Sequence, residues 1–205
     1  MIFSVKGVTG MTGVDGSAPV LLETGRLRLR RFTEADADAL TELDSDPEVM
    51  RYLTGGQPTP ADVVRGELLP RLLAGYGRCP GLGRWAAVDR ATGTFLGWFA
   101  LDAPAAQPGT QAELGYRLRR AAWGRGLATE GSRALLRHAF ATVGLARVWA
   151  QTMAVNTPSR RVMEKAGLRY VRTFHLDWDD PIEGTEHGEV EYELLRAEWA
   201  AREAG

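Results

Sequence analysis

The residues of this chain whose types and spacing best suit chemistry form a short run, Ala122-Trp123-Gly124-Arg125-Gly126-Leu127-Ala128-Thr129-Glu130. The run lies where a predicted strand passes into a predicted helix. The first backbone N–H groups of a helix have no partner within the helix and carry partial positive charge, so they suit a phosphate group. Gly124, Gly126 and the small Ala128 would let a diphosphate approach the backbone closely. The run therefore predicts a phosphate-binding junction between strand and helix.

Arginines surround this junction in the sequence and predict a local basic field. They are Arg117, Arg119, Arg120, Arg125, Arg133 and Arg137, with Glu130 as the acidic residue among them. A flexible loop before an ordinary surface helix is the alternative interpretation, because short glycine motifs are common. Two other phosphate motifs are excluded. No Gly-Lys-Ser/Thr follows the run, and the glycine spacing and acidic ribose partner of a dinucleotide-binding fold are missing.

Hydrophobic periodicity predicts the elements that must position the junction. Gln111 to Leu118 is predicted to be the strand before it, Gly126 to Phe140 the helix after it, and Arg147 to Met153 the next strand. Thr157 to Ala166 predicts a second helix, and Gly167 follows it where a left-handed residue commonly ends a helix. A strand, a helix and a strand in this order predict a parallel pair joined by a right-handed crossover.

The rest of the chain adds strands and a helical region. Strands are predicted at Arg26 to Phe32, Arg84 to Asp89, Thr94 to Leu101, Leu168 to Trp178 and Glu189 to Leu195. Helices are predicted at 33–43, at 46–52, at 59–73 and after Leu195, and a loop at 104–109. This order indicates an α/β (α+β) fold with a mixed, mostly antiparallel central sheet and helices on both faces. Residues 21–205 are predicted to form a single domain, and residues 1–20 a flexible N-terminal arm.

Composition narrows the class of protein. The formal net charge of −1 at pH 7 argues against a bulk nucleic-acid binder. The single cysteine, Cys79, allows no internal disulfide, and the histidines lack the spacing of metal ligands, so we expect no metal. The sequence shows neither an apolar stretch long enough for a bilayer nor a signal peptide. We therefore expect a cytoplasmic protein without membrane or nucleic-acid partners.

The junction resembles a known motif. Trp-Gly-Arg-Gly-Leu-Ala-Thr-Glu at 123–130, followed by Asn156 to Leu168, resembles the coenzyme-A motif and following helix of the GNAT N-acetyltransferases. The Rim-type branch, which acetylates ribosomal-protein N-termini, is the most similar, and Glu113 to Tyr116 and Tyr192 to Leu195 resemble it too. The resemblance covers nearly everything from Leu22 to Leu195. It implies the GNAT fold with the parallel pair at an acetyl-CoA site, but it specifies no acceptor.

The resemblance also implies which residues hold acetyl-CoA, the expected cosubstrate. The diphosphate is expected on the backbone N–H groups of Arg125, Gly126, Leu127, Ala128 and Thr129. The pantetheine arm is expected to pair like an added strand with Tyr116, Arg117, Leu118 and Arg119. Further expected coenzyme contacts are Trp123, Gly124, Asn156, Ser159 and Arg160. Trp123 departs from the Gln or Arg of many family members, and a tryptophan there is common in the Rim-like branch.

The implied reaction is direct attack of a primary amine on the thioester in a ternary complex, and it needs a neutral amine. A lysine amine has a pKa of about 10.4 and an α-amine about 8, so a base must accept a proton. Glu113 is the candidate base, acting through a water molecule. Asn156 is expected to order the pantetheine arm or that water, besides capping a helix. Many relatives have a tyrosine acid where this chain has Met163, so either Ser159 replaces it or no dedicated acid exists.

Acidic side chains crowd the last two predicted strands and the loop between them. They are Asp177, Asp179, Asp180, Glu183, Glu186, Glu189 and Glu191. A solvated hairpin is the simple explanation. In the GNAT family this loop borders the acceptor entrance, so the resemblance implies an acidic rim that would attract a cationic acceptor. The candidate acceptors are a peptide N-terminus, an aminoglycoside-like amine and a polyamine-like amine.

Two other functions remain open at this point. A non-catalytic acyl-CoA-binding sensor or interaction module would keep the phosphate junction without the chemistry. The missing tyrosine makes this alternative tenable, whereas the intact loop and the acidic acceptor side favour an enzyme. A transferase for a longer acyl group, such as succinyl, is the second, with Trp98, Trp149 and Met153 as the residues that would set the room beside the thioester. The sequence does not distinguish a monomer from a homodimer.

Overall fold

The computed structural model describes residues 18–77, 79–104 and 109–204, and its strands form one sheet in the order β1-β2-β3-β4-β5-β6-β8-β7. The strands are β1 (Val20–Glu23), β2 (Leu27–Arg30), β3 (Gly83–Asp89), β4 (Phe95–Asp102), β5 (Gln111–Leu118), β6 (Arg147–Met153), β7 (Arg169–Phe174) and β8 (Glu189–Leu195). The helices are α1 (Ala37–Ser45), α2 (Pro47–Thr54), α3 (Ala61–Val63), α4 (Leu69–Gly75), α5 (Leu127–Arg137), α6 (Thr157–Ala166) and α7 (Arg196–Glu203).

The predicted parallel pair is confirmed, and it is short. β5 and β6 pair in parallel only from Gln111 opposite Arg147 to Glu113 opposite Trp149. Beyond that point β5 stays paired with β4, and β6 stays paired with β8, in antiparallel ladders. Residues 114–118 of β5 and 150–153 of β6 therefore face an opening between the two strands, which we call the wedge.

Helices cover both faces of the sheet, as the sequence predicts. The main core lies on the α5 and α6 face, with Phe99, Leu135, Phe140 and Val148 fully buried. A second core on the opposite face joins α1, α2 and α4 to β3 and β4 and includes the fully buried Leu40. Alternating side chains along each strand supply the two cores, because successive residues of a strand point to opposite faces.

Gly131 fixes how closely α5 approaches the sheet. A Cβ atom at this position would lie 2.3 Å from Cζ of Phe99 on β4, so a side chain cannot fit there without moving the helix. Most residues in the interior of a helix favour its stability more than glycine does. The glycine at 131 thus gives up local helix stability for a close contact, and this contact sets the height of the α5 N-terminus above the sheet.

Some predicted boundaries differ from the structure. The strand predicted to reach Trp178 ends at Phe174, and the two long predicted helices contain π-helical segments, Val64–Leu68 and His138–Val143. β1 was not predicted. Its first residue, Val20, falls within the predicted flexible arm, so the end of the arm predicted at residue 20 is wrong. Residues 1–17 of that arm and residues 105–108 of the predicted loop lie outside the described residues. In the described parts of the chain, the helices are too short or too polar to cross a membrane.

Candidate active site

Two left-handed glycines shape the predicted phosphate junction. Gly124 has a φ of 69°, and Gly126, the N-cap of α5, has a φ of 76°, a region that other residues rarely adopt. The helix begins at Leu127, and its first backbone hydrogen bond within the helix runs from the Glu130 N–H to the Gly126 carbonyl. The N–H groups of Leu127, Ala128 and Thr129 precede that bond. They therefore carry the partial positive charge of the α5 N-terminus, the type of site that suits an anion.

Glu130 fastens this junction to the turn between β1 and β2. Its Oε1 accepts hydrogen bonds from Thr24 Oγ1 at 2.5 Å and from the Arg26 N–H at 3.0 Å, and its Oε2 lies 2.6 Å from Arg26 Nε. Arg26 Nη1 also donates to the Arg125 carbonyl at 2.8 Å. Burial acts to raise the pKa of Glu130, but the hydrogen bonds from Thr24 and Arg26 hold it below its usual value. The carboxylate therefore holds the junction in place.

The predicted basic field around the junction is largely wrong. Five of the six arginines have partners within the protein: Asp44 for Arg117, Glu42 for Arg119, Asp46 for Arg120, the Lys165 carbonyl for Arg133 and Glu203 for Arg137. Three of these acids lie on or next to α1, on the other face of the sheet. Within the described residues, Arg125 forms no ion pair, although its charge is one of the causes that lower the pKa of Asp89, after the hydrogen bonds from Thr92 and Ala91.

Hydrogen-bonded side chains line the wedge. The phenol oxygen of Tyr116 on β5 lies 2.9 Å from Ser159 Oγ and donates to the Ser159 carbonyl at 3.1 Å. Asn156 caps α6 by accepting from the Ser159 N–H at 3.3 Å, and its Nδ2 donates to Thr152 Oγ1 on β6 at 3.0 Å. Burial raises the pKa of Tyr116 to about 12, although the Ser159 hydrogen bond opposes the shift. The structure thus brings together three of the predicted site residues, Tyr116, Asn156 and Ser159.

Other predicted coenzyme contacts have partners of their own. Arg160 points toward β8 and its neighbourhood, because its Nε donates to Tyr192 Oη at 3.2 Å and its Nη1 to the Ala154 carbonyl at 3.0 Å. The Trp123 indole N–H donates to the Leu118 carbonyl at 2.7 Å, while its ring remains 47% exposed. Met163, where many relatives have a tyrosine, is buried in the main core. The α6 side chain at the wedge is therefore that of Ser159.

Glu113 lies on the opposite face of β5 from Tyr116, three positions earlier in the strand. It pairs with Asp102 of β4 on one side and Trp149 of β6 on the other, at the last step of the parallel ladder. Burial raises its pKa, the charge of Asp102 adds to the rise, and the Arg84 guanidinium opposes it. Arg84 itself binds Asp102 through Nε at 2.9 Å. A carboxylate with a raised pKa is a better proton acceptor than an ordinary one.

A cavity of about 280 Å³ opens between the sheet and the helices α1 to α4, on the face of the sheet that carries Glu113. Its lining combines apolar and charged side chains, including Asp44, Met50, Leu72, Arg84, Trp98 and Arg117. The guanidinium groups of Arg84 and Arg117 lie 5.0 Å and 5.2 Å from the centroid of the Trp98 ring, within the range of a cation–π contact. The cavity reaches Arg84, the neighbour of the Asp102 and Glu113 carboxyls.

The predicted acidic rim is only partly present. Glu191 is buried and bound by Arg147 and Arg172, and Glu189 is also buried, so neither belongs to a solvated rim. Asp177, Asp179 and Asp180 are exposed. Their loop approaches α2: a Cβ at Gly55 would lie 3.1 Å from Ile182 Cγ2. The loop therefore borders the helix that supplies Met50, Leu53 and Thr54 to the cavity wall.

Sequence reasoning missed Asp44, Arg84 and Asp102. They lie on α1, β3 and β4, far apart in the chain, and no motif joins them. The one available signal is strand alternation, which places Arg84 and Asp102 on the same face as Glu113 once the antiparallel register is known. Among the described residues, no group of three or more His, Cys, Asp or Glu side chains is arranged to hold a metal ion.

Comparisons with known proteins agree with this geometry. The family model described as "Acetyltransferase (GNAT) domain" matches residues 26–169. The chain is 37% identical over 184 residues to the FsC-acetyl coenzyme A-N(2)-transacetylase of Aspergillus fumigatus, covering 87% of this chain and 77% of that protein. It is 33% identical over 167 residues to the uncharacterized protein YkkB of Bacillus subtilis, covering 81% and 94%.

A solved structure supports the same fold. The GNAT-family acetyltransferase of Bacillus anthracis superposes with a TM-score of 0.71 at 24% identity, over 85% of this chain and 98% of that one. The resemblance suggested by the junction and the α6 motif is thereby confirmed. The chain therefore belongs to the GNAT acetyltransferases, a family of acyltransferases that use acetyl-CoA.

Proposed function

We propose that this protein transfers an acetyl group from acetyl-CoA to a primary amine by direct attack in a ternary complex. The observation that carries the proposal is the position of the wedge. It opens at the last step of the parallel ladder, beside Glu113, and Tyr116, Asn156 and Ser159 line it on the α6 side. The phosphate junction follows the end of β5 in the chain. A cosubstrate held at that junction and lying along β5 would therefore bring its thioester into the wedge.

The chain offers a seat for each part of the cosubstrate. The α5 N-terminus and Arg125 would bind the diphosphate, with Gly124 and Gly126 allowing close approach. The backbone of residues 116–119 would pair with the pantetheine arm, because β6 leaves the edge of β5 open beyond Glu113. Trp123 covers the end of β5, and Asn156 faces the wedge from α6. Arg160 is the weakest member of the proposed set, since its donors are already used within the protein.

The chemistry needs a proton acceptor and an environment for the leaving sulfur. The amine nitrogen would form a bond to the thioester carbon while the carbon–sulfur bond breaks. Glu113 would accept the amine proton through a water molecule, helped by the raised pKa that burial and Asp102 give it. Ser159 would be the hydroxyl that donates a hydrogen bond to the sulfur. A non-catalytic acyl-CoA-binding module would need none of these groups, so their convergence favours an enzyme.

The cavity favours an acceptor with one reactive amine on a partly apolar body. Its wall contains Met50, Leu72 and Trp98, and two of its arginines, Arg84 and Arg117, are already paired with acids of the protein. The exposed aspartates at 177, 179 and 180 border the way in and would attract a cationic amine such as a peptide N-terminus. The Aspergillus fumigatus relative is named FsC-acetyl coenzyme A-N(2)-transacetylase, a name that is consistent with acetyl transfer to a nitrogen atom.

The test is thiol release from acetyl-CoA with a panel of amines, together with calorimetric binding of acetyl-CoA. Gly126→Glu should abolish binding, because its carboxylate would occupy the diphosphate seat. Gly93→Glu is the matched control, since Gly93 is also left-handed, with a φ of 73° and nothing within 4 Å of a Cβ. Binding without thiol release for any amine would indicate a sensor module. Faster release from succinyl-CoA than from acetyl-CoA would indicate the longer acyl donor.

A further inference from the structure

Three glutamates on one face of β8 differ in their partners. Arg147 binds both Glu191 and Glu193, and Arg172 also binds Glu191. Glu189, the first residue of β8, lies on the same face but forms no ion pair among the described residues. It is nevertheless as deeply buried as Glu191, with 7% against 6% exposure, and its Oε1 is buried without a hydrogen-bond partner. β8 therefore presents one buried carboxyl group whose charge nothing in the described protein balances.

A buried carboxyl group without a partner is unfavourable when it is ionised. It avoids this cost either by staying protonated or by binding a cation. Burial raises the pKa of Glu189, and no neighbouring charge opposes the rise. Folded proteins leave few buried polar groups without partners, and each one calls for an explanation, such as a catalytic role or a bound ion. An ammonium or guanidinium group brought by a ligand would satisfy this carboxyl group with a charge-assisted hydrogen bond.

The ladders place Glu189 beside the wedge, on the face of the sheet that carries Glu113. Glu189 lies opposite Met153, the last residue of β6. Met153 is on the same face as Trp149, four residues earlier, and Trp149 lies opposite Glu113. Glu113 therefore marks the closed end of the wedge, and Glu189 lies beside its open end.

The loop between β7 and β8 joins this end of the wedge to the proposed acceptor cavity. A Cβ atom at Gly184 would lie 2.6 Å from Val155 Cγ2 and 3.4 Å from Met153 Cε, so the loop packs against the end of β6. A Cβ atom at Gly55, which follows α2, would lie 3.1 Å from Ile182 Cγ2 of the same loop. Because α2 also lines the cavity, the unpaired carboxyl group and the cavity border the same loop.

Glu113 and Glu189 are too far apart to bind one nitrogen atom. Two strand spacings and four residues along β6 separate them, which is roughly 16 Å between their Cα atoms. Side chains stand roughly perpendicular to a sheet, so the two carboxyl groups keep a separation of the same order. The amine that reacts beside Glu113 therefore leaves Glu189 for a different group of the acceptor.

We propose that Glu189 binds a second cationic group of the acceptor, an ammonium or guanidinium group that is not itself acetylated. The inference rests on the proposed function, and it defines the acceptor as a molecule with two basic groups joined by an apolar chain. Met153 and Phe174, the ladder partners of Glu189, provide apolar surface beside it. The cation supplies the missing partner of the carboxyl group, and the carboxyl group orients the acceptor so that its other amine reaches the thioester.

The test compares amines that differ only in a second cationic group: 1,5-diaminopentane with pentylamine, and lysine amide with norleucine amide. We expect the wild type to have a kcat/KM at least about tenfold higher for the dicationic member of a pair, beyond the factor of about two for the equivalent ends of the diamine. Glu189→Gln should reduce this preference to about one, while the KM for acetyl-CoA stays within about twofold. Glu189→Asp keeps the charge and should retain part of the preference.

Glu191→Gln is the matched control, because Glu191 has similar burial on the same strand but is bound by Arg147 and Arg172. It should keep the preference for dications and lose stability in urea unfolding, whereas Glu189→Gln should be at least as stable as the wild type at pH 8. Equal kcat/KM values within each pair for the wild type, or a preference that survives in Glu189→Gln, would overturn the proposal. So would a loss of stability in Glu189→Gln as large as that in Glu191→Gln, which would assign the carboxyl group to the fold. A wild-type protein that releases no thiol with any amine would instead overturn the proposed function.

Discussion

Asp102 and Glu113 lie directly opposite each other on β4 and β5, and Arg84 binds only the first of them. Two carboxyl groups in neighbouring positions disfavour each other's charge. Burial and the charge of Asp102 raise the pKa of Glu113, and the Arg84 guanidinium, which is bound to Asp102, opposes the rise. The two carboxyl groups therefore differ in role: Asp102 binds Arg84, and Glu113 is the proposed proton acceptor.

Asp102→Asn should move the acid limb of the kcat/KM profile to lower pH. The substitution removes the neighbouring negative charge and releases Arg84, and both changes lower the pKa of Glu113. Activity that needs ionised Glu113 would then persist at lower pH. The measurement is the pH dependence of thiol release, with the exposed Asp62→Asn as control. An acid limb that stays in place or moves upward would contradict the assignment of Glu113 as base.

Glu113→Gln should reduce kcat by about 10²-fold or more while leaving the protein at least as stable at pH 8. The pKa of Glu113 is raised in the folded state, so the folded state prefers the neutral carboxyl. Its contribution to the free energy of unfolding is present below the ordinary carboxyl pKa and is lost as pH rises through the raised value. Glutamine does not titrate and escapes that loss. Urea unfolding at pH 5 and pH 8 checks the sign, and a variant less stable than the wild type only at pH 8 would contradict it.

Glu130→Ala should weaken acetyl-CoA binding through the position of the junction. The variant frees Thr24 and Arg26 from α5 and should cost about 1–3 kcal/mol of stability, as expected when charge-assisted hydrogen bonds are lost. We expect a higher KM for acetyl-CoA with a smaller change in the KM for the amine. Glu48→Ala is the control, because Glu48 also lies in the first turn of a helix but is exposed. If the two variants weakened acetyl-CoA binding equally, the role of Glu130 would be only the electrostatic effect of an acidic residue in the first turn of a helix.

Asp44→Ala should destabilise the protein by about 3–5 kcal/mol, because it leaves the guanidinium of Arg117 without its buried partner. The Asp44 side chain is 1% exposed and that of Arg117 18%. Glu42→Ala, on the same helix, breaks the pair with Arg119, but the Glu42 side chain is 71% exposed, so we expect less than about 1 kcal/mol. Urea unfolding of both variants gives the comparison. Similar losses for the two would mean that burial does not set the strength of these pairs.

Replacing Asp177, Asp179 and Asp180 together by asparagine tests the acidic loop. If the acceptor is cationic, its KM should rise and become less sensitive to salt, with the KM for acetyl-CoA unchanged. A control variant should remove exposed acids from other elements, such as Glu34 and Glu203. The idea of electrostatic attraction at the entrance would be abandoned if the acceptor KM and its salt dependence matched those of the control.

The sequence predicted best those elements whose signals are local. β5, β6 and α6 have the predicted ends, because alternation, an Asn cap and a terminal glycine mark them. β1 was missed because four residues at a sheet edge, bent by an irregular register, carry little periodicity. The place where the β5–β6 ladder ends, and with it the wedge, has no signature in either strand, since it depends on how the neighbouring ladders twist.

The charges around the site show the same limit. Arginines near the glycine run were assigned to the phosphate by proximity in sequence, yet Arg117 and Arg119 reach acids on α1 instead. Strand alternation points Arg117 away from the α5 face, but its partner Asp44 comes from an element 73 residues away. Likewise, Glu189 and Glu191 resembled solvated acids until the register of β8 placed them in the sheet interior.

The two cores on opposite faces of the sheet have a consequence for how this enzyme can diversify. The proposed donor side is built on α5 and α6 over the main core, and the proposed acceptor cavity is built on α1 to α4 over the second core. Residues on one face of the sheet have few contacts with residues on the other face. The free-energy effects of substitutions on the two faces should therefore be nearly additive. The helices α1 to α4, which precede β3, can therefore change in shape while the proposed thioester-binding site stays the same. Because the sheet separates the two faces, the specificity for the acceptor can evolve without changes to the proposed site of the acyl donor.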